Sequence, residues 1–425
     1  MHVIYADNNA TTQVAPEVCE AMAPFFTADY FNPSSMYEPA RRTAAAIGQA
    51  RQQVARHLGV TDPKQILFTS CATESNNTAL FGTAKANPHR RQIITTTVEH
   101  PAVLEVCKDL GRSGYEVIFL EVDGHGNLDL DEFVRVLRPE TLLVSIMHAN
   151  NETGVIFPIP QLSRITKETD PSIVFHTDAT QSVGKLPLDL EQAYRHVDLL
   201  SFSGHKLHAP KGIGGLYIKR GTPCRPLLIG GHQEEGRRAG TENTPYIVGL
   251  ARAMELAAGC FEEEQTKIRR WRDRLETALE TLIPHVQVNG RGAPRLPNTL
   301  NVSCHYVEGE ALLYQLSDCG ICASSGSACT SGSLEPSHVL RAMQVPFTAV
   351  HGSVRFSLSR YNTESDVDRI IEVFPQIVAN LRRLSPYWDQ TLNRPRGDAA
   401  ELTHGPLTTR SPPGLELPPD APTRA

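Results

Sequence analysis

From Gln65 onward the chain alternates short apolar, β-branched runs with stretches of helical period. The runs predict strands over 66–69, 92–97, 117–120, 142–148, 173–176, 199–203 and 215–218. Helix-period segments such as 102–110 and 128–137 separate several of them. Strands with little polar alternation, joined by helices, indicate an α/β domain whose largely parallel sheet is covered on both faces. In such sheets ligand sites gather at the carboxyl ends of the strands, so the polar segments that follow the strands carry the functional information. A long helical stretch over 245–282 leads out of this domain into a smaller α+β unit. In the last helix of that unit Thr363 and Asp366 form a capping pair. Val367, Ile370, Ile371, Phe374, Ile377, Val378 and Leu381 make its apolar stripe, and Pro375 predicts a kink or break. The expected division is a large domain over 1–256 including an N-terminal arm, a small domain over 257–388, and a Pro-rich tail over 389–425 expected to be disordered.

Composition narrows the function classes. Of 425 residues 40% are hydrophobic and 21% charged, enough apolar content for packed cores. A net charge of −6 offers no global basic field for a nucleic acid or an anionic membrane. No apolar run approaches the ~18 residues of a membrane span. The opening "MHVIYADNNATT" has neither a basic nor an apolar leader region, so a cytoplasmic location with reduced thiols is expected. Nine scattered cysteines argue against a disulfide framework, and most are expected to be small buried side chains.

Seven segments could carry chemistry. In "SFSGHKLHAPKG" Lys206 follows a buried strand, where a desolvated amine can form a Schiff base; the bland alternative is a surface lysine. In "VFHTDATQSVG" Asp178 could hold a protonated pyridinium nitrogen or cap a helix, and Gln181 could donate to the phenolic oxygen of such a ring. In "LFTSCATESNNTAL" a strand runs into a helix start that, with the Thr73 hydroxyl, makes a phosphate cradle. Ser203, His205 and Thr241 are further donors for it. His100 ends a strand before Pro101 and could stack on a ring and shuttle protons, or serve only structure. In "MHANNETG" Asn150 or Asn151 could bond a cofactor oxygen or a substrate carboxylate. Arg355 in "VRFSLSR" could pair with an α-carboxylate. Cys329 sits in "ASSGSACTSGSLEPSHVLRAM", a Ser/Gly run with little to bury, as suits a thiol on a mobile loop.

These segments together resemble the cysteine desulfurases, pyridoxal-phosphate enzymes of the class V aminotransferase group. The likeness runs from "YADNNATT" to about "SPYWD". "TSGSLEPSHV", "GGHQEEGRRAGTEN" and the extended tail look most like the nitrogenase-associated branch. The resemblance implies a type I fold for pyridoxal-phosphate-dependent transferases, with a large, mostly parallel mixed-sheet domain and a smaller α+β domain. It implies pyridoxal 5'-phosphate on Lys206, with Asp178 at the ring nitrogen, Gln181 and Asn151 on the phenolic side and His100 over the ring. Ala72, Thr73, Ser203, the backbone of Gly204, and His205 would line the phosphate, with Thr241 reaching it from the other subunit of a homodimer. Arg355, assisted by Asn151, would bind the carboxylate of L-cysteine. Cys329 would become the persulfide, with transient iron–sulfur contact as it hands sulfur to a scaffold protein.

The alternatives are a housekeeping desulfurase, a selenocysteine lyase or an aminotransferase of the same fold, and a non-enzymatic scaffold. "CGIC" at Cys319 and Cys322 has redox-pair spacing but no thioredoxin-like context, and His205 and His208 have no matching ligand set for a metal.

Overall fold

The computed structural model describes residues 3–325 and 336–397. The strands, in chain order, are β1 (Ile4–Tyr5), β2 (Ile66–Thr69), β3 (Gln92–Thr96), β4 (Glu116–Leu120), β5 (Thr141–Ser145), β6 (Val174–Asp178), β7 (Leu199–Ser203), β8 (Gly214–Ile218), β9 (Val286–Val288), β10 (Thr299–Cys304), β11 (Ile321–Cys322), β12 (Ser353–Ser357), β13 (Trp388–Asp389) and β14 (Arg394–Pro395). Strands β2 to β8 form one sheet of seven in the order β2-β8-β7-β6-β5-β3-β4. Only β8 runs against its neighbours. The lack of polar alternation has the expected cause. Ile94, Val144, Phe175 and Leu200 pack into one apolar cluster, and their strand neighbours Ile93, Leu143, Val174 and Leu199 into another. Successive side chains point to opposite faces, so a sheet covered on both must be apolar at every step.

The second core forms on a three-stranded sheet, β12-β10-β9. The helix Glu364–Leu384 lays Val367, Ile370, Phe374, Ile377 and Val378 onto it. Its Thr363–Asp366 capping box is present. The helix continues through Pro375 rather than breaking there. Five apolar side chains buried on one face offset the ~3 kcal/mol that an interior proline costs.

Three boundaries differ from the sequence-based expectation. The N-terminal arm, expected with the large domain, pairs β1 with β11 and places Ile4 and Ala6 in the second core. In the other direction, Val339, Leu340, Met343, Val345, Ala349 and Val350 pack into the first core. The start of the expected disordered tail instead forms the β13–β14 hairpin. Trp388 anchors it, 3% exposed, with Arg382 lying 4.7 Å over its ring. The helical stretch after residue 244 is also interrupted, with a π-helical turn at Glu264–Ile268 between Thr244–Gly259 and Arg269–Leu282.

Candidate active site

The carboxyl ends of β2, β3, β5, β6 and β7 open onto one cleft of about 400 Å³. Strand β7 ends at Ser203, and a tight turn over Gly204–Lys206 swings the lysine into it. Gly204 lies behind the cleft lining, where a Cβ would stand 2.8 Å from Ile213 Cγ2. Its part is therefore to let the turn pack. Lys206 Nζ donates to the carbonyls of Asn9 and Ala10, at 2.7 and 2.6 Å. The N-terminal arm thus closes over the lysine, and Thr12 fastens the arm by donating through its backbone N–H and its hydroxyl to the His205 carbonyl.

Asp178 ends β6 and lines the same cleft. One carboxylate oxygen accepts from Asn76 Nδ2 at 2.7 Å and the other from the Thr180 N–H at 2.9 Å. The structure gives Asp178 the local turn bond that a structural reading expects, and also a place in the cleft wall. His100 has the same double character. Its Nδ1 accepts from the Ala102 N–H at 3.1 Å and so caps the helix Pro101–Arg112. Burial lowers its pKa, with Asp178 opposing and Lys206 and His338 reinforcing that shift. A neutral ring whose Nδ1 accepts carries its proton on Nε2. Burial, reinforced by Lys206, pulls His205 down to about 4. It lines the cleft as a neutral ring, its Nδ1 bonded to Thr11 Oγ1 at 3.1 Å.

The second core contributes Arg355 from β12. This guanidinium is only 2% exposed. Its Nη2 donates to Asp7 Oδ1 at 2.7 Å and its Nη1 to the Asn151 carbonyl at 2.9 Å. Asn150 is turned away: its amide donates to the Val98 carbonyl, and its oxygen accepts from Glu152 and Thr153. Asn151, not Asn150, lines the cleft.

The cleft therefore gathers Ala72, Thr73, His100, Asn151, Asp178, Gln181, Ser203, His205, Lys206 and Arg355 from distant parts of the chain. Thr241 is not among them. It lines a separate cleft with Ser70 and Arg238. Cys329 lies outside the described residues, so its expected persulfide and iron–sulfur roles have no structural counterpart in them. Where the described chain resumes, Ser337 donates to the buried Glu152 carboxylate and the His338 ring bonds the Glu99 carbonyl at 3.0 Å. Among the described cysteines only Cys107 and Cys304 are buried, fewer than expected. Burial pushes both thiols up to about 12, which leaves them inert. Among the described residues no group of His, Cys, Asp and Glu could hold a metal ion.

Asp7, Asn9, Ala10, Asn76 and Glu99 escaped the sequence reading. Glu99 is fully buried beside His100, and burial raises its carboxyl to about 8. The adjacency to His100 was the available signal. Asn76 had only its place one turn after the phosphate-cradle helix start.

The residues present fit pyridoxal 5'-phosphate. Ser203 Oγ is buried at the cleft wall without a hydrogen-bond partner. Beside it the helix Ala72–Ala86 begins with no side-chain bond from its N-cap Cys71. At Gly214 a Cβ would come within 2.8 Å of the Cys71 backbone, so only glycine lets β8 approach this helix start. An orphaned hydroxyl next to uncapped helix amides is the donor set a phosphate requires.

A family model described as aminotransferase class-V matches residues 4–370. A cysteine desulfurase of Trichormus azollae is 57% identical over 387 residues, covering 91% of this chain and 96% of the relative. Cysteine desulfurase NifS of Azotobacter vinelandii is 54% identical over 385 residues, covering 91% and 95%. Among solved structures, a NifS-like protein superposes with a TM-score of 0.83 at 41% identity, over 89% of this chain and 100% of its own. SspA in complex with cysteine gives 0.74 at 35% identity, over 85% and 100%.

Proposed function

This chain belongs to the aminotransferase class-V family, and from that membership together with its cleft we infer that it is a pyridoxal 5'-phosphate-dependent cysteine desulfurase. The observation that carries the reading is convergence: a lysine and an aspartate from one core and an arginine from the other face a single cleft. Relatives named cysteine desulfurase at 54–57% identity support it. The overall change is that a thiol and L-cysteine become a persulfide and L-alanine. The carbon–sulfur bond of the substrate breaks, a sulfur–sulfur bond forms, and the thiol's hydrogen balances that gained at the β-carbon.

When bound, pyridoxal 5'-phosphate supplies an aldehyde that takes up amines and a ring that withdraws electrons from the substrate carbon. Lys206 would hold it, Asp178 would keep a proton at its ring nitrogen, and Ser203, Thr73 and the Ala72 helix start would take its phosphate. Asn76 holds the Asp178 carboxylate in place for that task. Arg355 would bind the carboxylate of L-cysteine, with Asn151 beside it. Lys206 Nζ would carry the proton at the substrate Cα. His100 would donate from Nε2, since its Nδ1 is engaged by the helix start. Cys329 would attack the substrate sulfur as thiolate. A homodimer would bring Thr241 of the second copy to the phosphate. The acceptor in this reading is an iron–sulfur scaffold protein, in nitrogenase metallocluster maturation. Similarity to the NifS of Azotobacter vinelandii supports that branch. Among the described residues no helix is long and apolar enough to cross a membrane.

The test is incubation of the holoenzyme with L-cysteine, reading alanine and the protein mass. Alanine should appear together with one sulfur added at Cys329, and Cys329→Ser should bind the cofactor yet release no sulfide. Absence of alanine would end the reading.

A further inference from the structure

A primary amide presents a donor at one end and an acceptor at the other, and little but its surroundings decides which end faces a ligand. Gln181 lines the cleft and is 4% exposed. Its Nε2 donates to the Asn9 carbonyl at 3.0 Å, the same oxygen that Lys206 Nζ reaches. Its Oε1 accepts from Lys185 Nζ at 3.1 Å. An ammonium has donors only, so Lys185 can engage only the oxygen end of that amide.

We propose that Lys185 is a positioning residue: by holding Gln181 Oε1 it turns the amide nitrogen toward the Lys206 cleft, so that Gln181 meets the cofactor's phenolic oxygen as a donor. The proposal rests on the reading of the cleft as a pyridoxal 5'-phosphate site and adds to it the group that fixes the sign of one hydrogen bond. Lys185 does not itself line that cleft.

Lys185 is held for this role from behind. It is 8% exposed, and a buried ammonium is costly without partners. The π-helical turn Glu264–Ile268 packs behind it. Gln265 Nε2 donates to the Lys185 backbone carbonyl at 2.6 Å; burial lowers the Lys185 pKa to about 8, and the Glu264 carboxylate opposes that shift. Glu264 in turn lies 3.9 Å from Arg360 Nε, and Arg360 Nη1 donates to the Leu256 carbonyl at 3.2 Å. A π turn inserts one residue into a helix and so re-aims its side chains. A lysine serving only to balance Glu264 would not need to reach Gln181. The bond to Oε1 is the part that packing and charge balance leave unexplained.

The experiment is a double-mutant cycle on the holoenzyme with Lys185→Met, Gln181→Ala and both together. The readouts are the affinity of the apoprotein for pyridoxal 5'-phosphate and the position of the bound cofactor's visible band. Lys185→Met should weaken cofactor binding roughly three- to tenfold, the worth of one buried hydrogen bond, and shift the band. In the Gln181→Ala background the same substitution should change affinity less than about twofold and leave the band in place. Equal effects in both backgrounds, or none in the native one, overturn the proposal. Should Lys185→Met fail to fold because Glu264 loses its cation, Lys185→Met/Glu264→Gln compared with Glu264→Gln alone gives the same reading. If Gln181→Ala alone changes neither readout, the phenolic-side placement of Gln181 is wrong and the proposal falls with it. Failure of the desulfurase reading would appear instead as missing alanine, which these binding measurements do not involve.

Discussion

The two walls of the cleft solve opposite problems. On the sheet side Asn76 Oδ1, Thr180 Oγ1 and Ser203 Oγ are buried without partners, and all three residues line the cleft. On the other side Arg355 has Asp7 and the Asn151 carbonyl, and only its Nε lacks a partner. An unmatched buried polar atom is costly, but a ligand that stays bound offsets that cost for the working life of the protein. A substrate that comes and goes cannot. The guanidinium that would meet it therefore needs a carboxylate of its own between turnovers. The contrast separates a wall shaped for a resident group from a wall shaped for a visitor.

The sharpest challenge to that contrast is Lys206→Ala. It should lower turnover by roughly 10³-fold or more and abolish the visible band of lysine-bound cofactor. A loss smaller than tenfold would mean that the sheet wall does not hold the resident group. Next is Arg355→Met, which leaves Asp7 and the Asn151 carbonyl without their cation. The apoprotein should lose about 3 kcal/mol in urea unfolding, and KM for cysteine should rise on the order of a hundredfold. An unchanged KM would remove Arg355 from the visitor's side.

Glu99 sharpens the comparison through pH. Burial raises its carboxyl from 4.5 to about 8, so between those values the folded state keeps a proton that the unfolded state releases. Its contribution to stability is fully present below 4.5 and is lost as pH rises through about 8. The native apoprotein should lose stability across that window at up to on the order of 1 kcal/mol per pH unit, and Glu99→Gln should lack that slope. Parallel urea midpoints for the two proteins from about pH 5 to 8 would contradict it. The smallest expected stability change belongs to Ser203→Ala. Its hydroxyl has no protein partner, so the apoprotein should move by less than about 0.5 kcal/mol. Cofactor affinity should nevertheless fall several-fold. A large loss of apoprotein stability would show that the hydroxyl serves the fold.

Much of the first wall was legible because its chemistry follows strands. Lys206, Asp178, His100 and Thr73 all come just after short apolar runs, and the observed strands lie close to the expected ones. Arg355 was legible as an arginine on a strand that could pair with an α-carboxylate. The protein carboxylate it meets was not. Asp7 stands 348 residues away in sequence, and no local pattern links the two. Asn9 and Ala10 act through backbone carbonyls, which any residue possesses, so their identities carried no signal. The hairpin after Trp388 was hidden by composition: prolines suggested disorder, and the packing of one indole decided otherwise.

The arm bears on biogenesis as well. Ile4 and Tyr5 are synthesised well before Ile321 and Cys322, with which they pair. At about 5–20 residues per second, the roughly 300 residues between them take on the order of 15–60 s to leave the ribosome. Until then the arm relies on anchors within the large domain, such as the bonds from Thr12 to the His205 carbonyl. The pairing of β1 with β11 is therefore a late event in the life of each nascent molecule, deferred until Cys322 has emerged.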